Sequence, residues 1–211
     1  MPQPSDQLTL LFTGDSITDC GRAYPIGIEN GLGDGYVSVV DTTLAAKYPQ
    51  KQIRVLNSGI SGNRVTDLKK RWQTDVLQYR PDWLSIMIGI NDVWRQFDTP
   101  DDPTPVTPEI FENIYRELLQ SIPKKTTVLL ATPFLIEANP REPMRQRMDY
   151  YGTIVKKLAH EFETHFVDTQ AAFNNYLKHR SAETLAQDRV HPNSIGHQIL
   201  ANTFLERLQY H

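Results

Sequence analysis

With 211 residues, 39% hydrophobic and 22% charged, the chain has the size and composition of one globular domain, residues 1–211, and is tight for two. Its net charge of −3, with no long run of one sign, argues against nucleic acid or a membrane surface as a main partner. A single cysteine, Cys20, excludes an internal disulfide, and no signal-like or membrane-length apolar run is present, so the expected location is cytoplasmic.

The first apolar run, residues 8–12, reads as a buried strand. It stops at Gly14-Asp15-Ser16, a tight turn that would lift the Ser16 hydroxyl out at the strand's carboxyl end. Ligands of open α/β sheets sit in the crevice outside those ends. Ser16 is therefore a candidate nucleophile, and a weak one until a base stands beside it. Residues 26–35 hold glycines at 27, 31, 33 and 35 and read as a loop, without the dinucleotide-binding spacing. Residues 36–48 place Val37, Val40, Leu44 and Tyr48 at helical spacing, and Pro49 ends that helix.

A second strand, 53–56, leads into Asn57-Ser58-Gly59-Ile60-Ser61-Gly62-Asn63. The helix expected over 65–78 carries Asp67, Lys69, Lys70 and Arg71, read as a solvated face. Residues 83–88 form the most apolar strand and run into Gly89-Ile90-Asn91-Asp92. Residues 98–108, with four prolines and three aspartates, read as a loop long enough to be a lid. Thr107 and Pro108 then look like the N-cap and first residue of a helix to about 122. A fourth strand, 127–131, ends at Thr132; a helix spans 143 to about 162; a short fifth strand, 165–167, ends at Asp168. Helices over 171–178 and from 194 to about 208 finish the chain. Strand and helix alternate five times, which predicts an α/β fold, a three-layer α/β/α sandwich with a five-stranded parallel sheet.

Right-handed crossovers bring all strand ends to one edge, and with them Ser16, Gly62, Asn63, Gly89, Asn91 and Thr132. None of these is a base. The base is sought in Asp188-Arg189-Val190-His191-Pro192-Asn193-Ser194, where Pro192 keeps His191 extended ahead of the last helix and Asn193 or Ser194 can cap it. Asp188 lies three residues earlier, where its carboxylate could orient the imidazole and stabilise the imidazolium formed when a serine proton is taken. Oxyanion donors are offered by the Ser16 N–H, a glycine N–H from Gly62 or its competitor Gly59, and the Asn91 side chain.

These blocks, Gly-Asp-Ser, Ser-Gly-Asn, Gly-x-Asn-Asp and Asp-x-x-His, in this order over nearly the whole chain, resemble the SGNH (GDSL-type) hydrolases. The resemblance implies a flavodoxin-like SGNH fold, Ser16 as nucleophile, Asp188 and His191 completing a triad, Gly62 and Asn91 completing an oxyanion hole, and Asp15 bracing or orienting the serine. The wording Gly-Asp-Ser-Ile-Thr-Asp-Cys-Gly-Arg, Ile-Met-Ile-Gly-Ile-Asn-Asp-Val-Trp-Arg-Gln and Phe-Val-Asp-Thr-Gln-Ala-Ala-Phe is similar to bacterial SGNH acetylxylan esterases acting on xylo-oligosaccharides. That implies a small acetylated carbohydrate as partner and no metal or organic cofactor. Asp15, Asn63 and Trp94 are then expected near the substrate. Gln187 departs from the aromatic that related chains carry at that position, which bears on sugar contacts and not on the triad.

Two other functions remain in view: a lysophospholipase or thioesterase, which would need an elongated apolar channel, and a catalytically silent carbohydrate-binding protein. Phe97 and Trp94 could stack on a sugar or pack the lid, whereas Trp72 and Trp83 are expected in the core. Cys20 is read as an inert thiol. Histidines 160, 165, 179, 197 and 211 lack ligand-like spacing. A homo-oligomer would shape the pocket through the glycine-rich or proline-rich loops.

Overall fold

Strands whose apolar runs do not alternate have to be covered on both faces. The computed structural model, which describes residues 7–29, 31–99, 101 and 103–208, has that arrangement. Strands β1 (Gln7–Gly14), β2 (Gln52–Asn57), β3 (Trp83–Met87), β4 (Thr127–Ala131) and β5 (His165–Val167) form one sheet in the order β2-β1-β3-β4-β5. Every neighbouring pair is parallel. Leu10, Leu11 and Phe12 of β1 and Leu84 and Ile86 of β3 are fully buried.

The helices are α1 (Ser16–Asp19), α2 (Tyr36–Lys47), α3 (Val65–Asp75), α4 (Ile90–Asp98), α5 (Pro108–Gln120), α6 (Pro143–Glu161), α7 (Thr169–Leu177) and α8 (Ser194–Leu205). One layer groups α2 and α7 with α8; the other groups α3 and α6 with α5, and α4 packs on α6. Phe12 meets Tyr36 and Phe204 edge-on, each at 5.6 Å, and so ties β1 to α2 and α8. The expected three layers and five parallel strands are present.

Local chemistry sets the helix starts. Thr107 accepts a hydrogen bond from the Ile110 N–H with Pro108 in the first turn, Asn193 accepts from Ile195 and Gly196, and Asp168 accepts from Ala171. Two helices were not expected. The four residues of α1 are too few to show a period. Helix α4 has Gly89, with φ of 132° and no side chain to cap it, at its N-cap, so the Ser/Thr/Asp/Asn signal for a helix start is missing. Asp98 accordingly ends a helix rather than opening the loop. Near the loop's far end Val106 is buried, and its carbonyl accepts hydrogen bonds from Gln96 and the Tyr151 hydroxyl.

In a sheet of this order the chain departs in opposite directions from β1 and β3, and a crevice opens between their carboxyl ends. The segments leaving β1 and β3 there carry Ser16 and Asn91.

Candidate active site

Ser16 is the first residue of α1, directly after β1. The turn needs glycine before it: a Cβ on Gly14 would lie 2.3 Å from the Met87 carbonyl oxygen and 2.5 Å from Thr18 Oγ1. Asp15 caps α1, accepting from the Ile17 N–H at 3.1 Å. Its carboxyl is 1% exposed, so Asp15 braces the turn and offers no surface to a substrate. Burial pushes the Asp15 carboxyl up to about 7, against the opposing Ile17 hydrogen bond and the charge of His191.

The segment before α8 brings the other two groups. His191 Nε2 lies 2.8 Å from Ser16 Oγ across 175 positions of sequence. His191 Nδ1 lies 2.6 Å from Asp188 Oδ2. A carboxylate can only accept, so Nδ1 carries the proton and the Nε2 lone pair faces the serine hydroxyl. Asp188 Oδ1 accepts from the N–H groups of Val190 at 3.0 Å and His191 at 2.8 Å, which fixes the carboxylate against the ring. Partial burial works to raise the Asp188 carboxyl, but these bonds and the His191 ring hold it below the usual carboxylate range.

Three N–H groups await an acceptor at the same edge. The Ser16 and Gly62 backbone N–H groups have no partner among the described residues. Gly62 has φ of 80°, a left-handed conformation that favours glycine. Gly59, the competitor, donates its N–H to Asn57 Oδ1 at 2.8 Å. Asn91 donates one side-chain hydrogen to the Asn63 carbonyl at 3.1 Å, which leaves the other to point elsewhere.

Buried charges grip the loop that carries Gly62. Asp19 accepts from the Ser61 N–H and hydroxyl, and Arg22 donates to the Gly59 carbonyl at 2.6 Å. Arg71 donates to the Ser58 carbonyl, to the Gly14 carbonyl and to Asn63 Oδ1. Arg71 was expected on a solvated face; its side chain is only 11% exposed because those acceptors draw it inward. Asp92 accepts from Val65 N–H and so caps α3, and burial pushes its carboxyl up to about 7. Sequence reasoning did not find Asp19, Arg22 or Arg71 as supports, since their hydrogen-bond partners are distant along the chain and leave no local signal.

Trp94 is half-buried, its ring 6.0 Å from that of His191. A recess of about 470 Å³ beside His191 is lined by Glu183, Leu185, Gln187, Asp188 and Asn193, among others. Asn63 is occupied by Arg71 and Asn91. Thr132, expected among the polar groups of the site, is turned away: its Oγ1 lies 2.9 Å from Thr169 Oγ1 and fastens β4 to α7. His197 accepts from the Tyr36 N–H at Nδ1, so its Nε2 hydrogen faces Cys20 Sγ at 3.4 Å. Burial holds His197 down near 4, while burial and the charges of Asp34 and Asp19 push the Cys20 thiol up. Among the described residues no cluster of three His, Cys, Asp or Glu side chains could hold a metal, and no helix is long and apolar enough to cross a membrane.

The model of the GDSL-like lipase/acylhydrolase family matches residues 12–199. An acetylxylan esterase of Geobacillus stearothermophilus is 53% identical over 205 residues, covering 95% of this chain and 94% of the relative. A crystal structure of an acetylxylan esterase from that organism is similar with a TM-score of 0.93 and 51% identity, covering 97% of this chain and 95% of that one. Solved structures of that esterase include catalytic mutants at a serine, a histidine and an aspartate. A thioesterase 1/protease 1/lysophospholipase L1 of Escherichia coli (strain K12) is 25% identical over 186 residues, covering 84% of this chain and 81% of the relative.

Proposed function

This chain belongs to the GDSL-like lipase/acylhydrolase family, and from that premise we propose that it is a serine esterase releasing acetate from acetylated xylo-oligosaccharides or similar sugars. The observation that carries the reading is the unbroken run of contacts from Ser16 Oγ through His191 to Asp188 at the crevice between β1 and β3.

Ser16 Oγ attacks the acetyl carbonyl carbon as His191 Nε2 takes its proton, and Asp188 holds the imidazolium that results. The carbonyl oxygen becomes an oxyanion facing the N–H groups of Ser16 and Gly62 and the free amide hydrogen of Asn91. The carbon–oxygen bond to the sugar then breaks, and His191 gives its proton to the departing hydroxyl. Water, deprotonated by His191, attacks the acetyl-serine; the bond from the acetyl carbon to Ser16 Oγ breaks, Oγ takes the proton back from His191, and acetate leaves. Preorganisation supports this reading: Asp15, Asp19, Arg22 and Arg71 fix the turns that present the donors, so little reorganisation accompanies charge development.

A cytoplasmic enzyme of this kind would meet oligosaccharides small enough to be imported. The test is hydrolysis of 4-nitrophenyl esters of rising acyl length beside acetate release from defined acetylated xylo-oligosaccharides. A steep preference for acetyl with turnover of the sugars is expected; a preference for long chains would replace this reading with a lysophospholipase or thioesterase.

A further inference from the structure

The large aromatic side chains most exposed among the described residues are Tyr24, Phe97 and Tyr150, at 58%, 42% and 54%. Tyr24 has a partner, since the Arg22 guanidinium lies 3.8 Å from its ring centroid. Phe97 and Tyr150 line the same groove, of about 410 Å³, together with Pro143, Gln146 and Arg147. We propose that this groove between α4 and α6 is a second sugar subsite, holding a neighbouring ring of an oligosaccharide whose acetyl ester lies at Ser16.

The proposal rests on the acetyl-sugar reading and deepens it. Helix α4 connects the two places. It supplies Asn91 at the proposed oxyanion hole, Trp94 beside His191, and Phe97 a further three residues along, about 4.5 Å of helix rise. The two aromatic walls are held in place from behind. Gln96, next to Phe97, donates to the hydroxyl of Tyr151, next to Tyr150, at 2.9 Å. That bond pins α4 to α6 and keeps the exposed rings at a set separation, so binding needs little ordering.

The lining matches sugar chemistry. A pyranose ring has apolar C–H faces, which suit aromatic walls, and a rim of hydroxyls, which suit the Gln146 amide and the Arg147 guanidinium. Neither of those side chains has a hydrogen-bond partner among the described residues, and both are exposed. One or two sugar rings are the scale of ligand this groove fits.

The experiment compares wild type with the Phe97→Ala/Tyr150→Ala double variant. It measures kcat/KM on 4-nitrophenyl acetate and on singly acetylated xylose, xylobiose, xylotriose and xylotetraose, and the particle mass by light scattering. For wild type kcat/KM is expected to rise with chain length. The double variant should lose about 10-fold on the tetrasaccharide and stay within about 2-fold on 4-nitrophenyl acetate, since each ring contributes a modest stacking energy. Equal turnover of xylose and xylotetraose by wild type would overturn the subsite alone. So would an equal loss by the variant on every substrate, or a lower particle mass with the chain-length gain intact. Hydrolysis of 4-nitrophenyl acetate without release of acetate from any sugar would overturn the acetyl-sugar reading, and the subsite with it.

Discussion

The two edges of the sheet hold different things. At the amino-terminal edge a cavity of about 610 Å³ lies by the segments that enter β4 and β5, lined by Leu119, Ile122, Lys124, Phe162 and His165 among others. It is larger than the 470 Å³ recess beside His191 at the carboxyl edge. Yet His165 there is stacked on Trp83 at 5.6 Å, and among the described residues no hydroxyl is hydrogen-bonded to it. At the other edge Ser16, His191 and Asp188 are linked in series. Volume is a poor guide to chemistry in this molecule. Parallel strands hand helix starts and their unpaired N–H groups to one edge only, and reactive groups are useful where those donors are.

The contrast can be broken by substitution. Ser16→Ala should lower kcat by about 10⁴-fold or more, because members of a triad act as a unit. Acetate release by this variant near the wild-type rate would remove the carboxyl edge from the mechanism. Asn91→Ala should reduce kcat by roughly 10²–10³-fold, the usual loss for one oxyanion donor. A change confined to KM would instead make Asn91 a binding group.

The third effect falls on stability. The Asp15 carboxyl is held at about 7 in the folded chain and titrates near 3.9 when unfolded. Below the unfolded value both states are protonated and the full stability is present. As pH rises toward 7 the unfolded chain releases its proton first, and stability is lost until the folded value is passed. Asp15→Asn keeps an acceptor for the Ile17 N–H without the titration. Its unfolding free energy should match that of wild type near pH 4 and exceed it at pH 8 by a few kcal/mol, at about 1.36 kcal/mol per unit of displacement, with a correspondingly higher Tm. Parallel Tm curves across that range would show that burial does not displace this carboxyl. The smallest effect is expected at the opposite edge, where His165→Ala should leave kcat/KM within about 2-fold and remove a stacking contact of about 1 kcal/mol. A large loss of activity would erase the distinction between the edges.

How far the sequence carried depended on whether a residue's partner was near it in the chain. The five strands were legible because each is a largely apolar run closed by Thr, Asn, Gly or Asp, and α5 because Thr107-Pro108 announces a start. Asp188 and His191 could be paired in advance since they lie only three positions apart. Helix α4 was not legible: its opening turn follows a glycine at φ of 132° and looks like the end of a strand. Arg71 sits in a cluster of charges that sequence assigns to solvent, and only the folded chain puts the Gly14 carbonyl, 57 positions away, within its reach. Thr132 occupies a strand end like the others, but the neighbouring Thr169 claims its hydroxyl.

The segment that holds Asp188 and His191 has one more consequence. Its ends are tied by the Asn193 N–H to the Leu185 carbonyl at 2.7 Å, so the acid and base form a closed unit carried near the last helix. A ribosome delivers Ser16 some 175 positions before His191. Over that interval the growing chain exposes a serine without a base, as inert as any surface hydroxyl. Hydrolytic competence would arrive in one step, when that late unit docks against a sheet already in place.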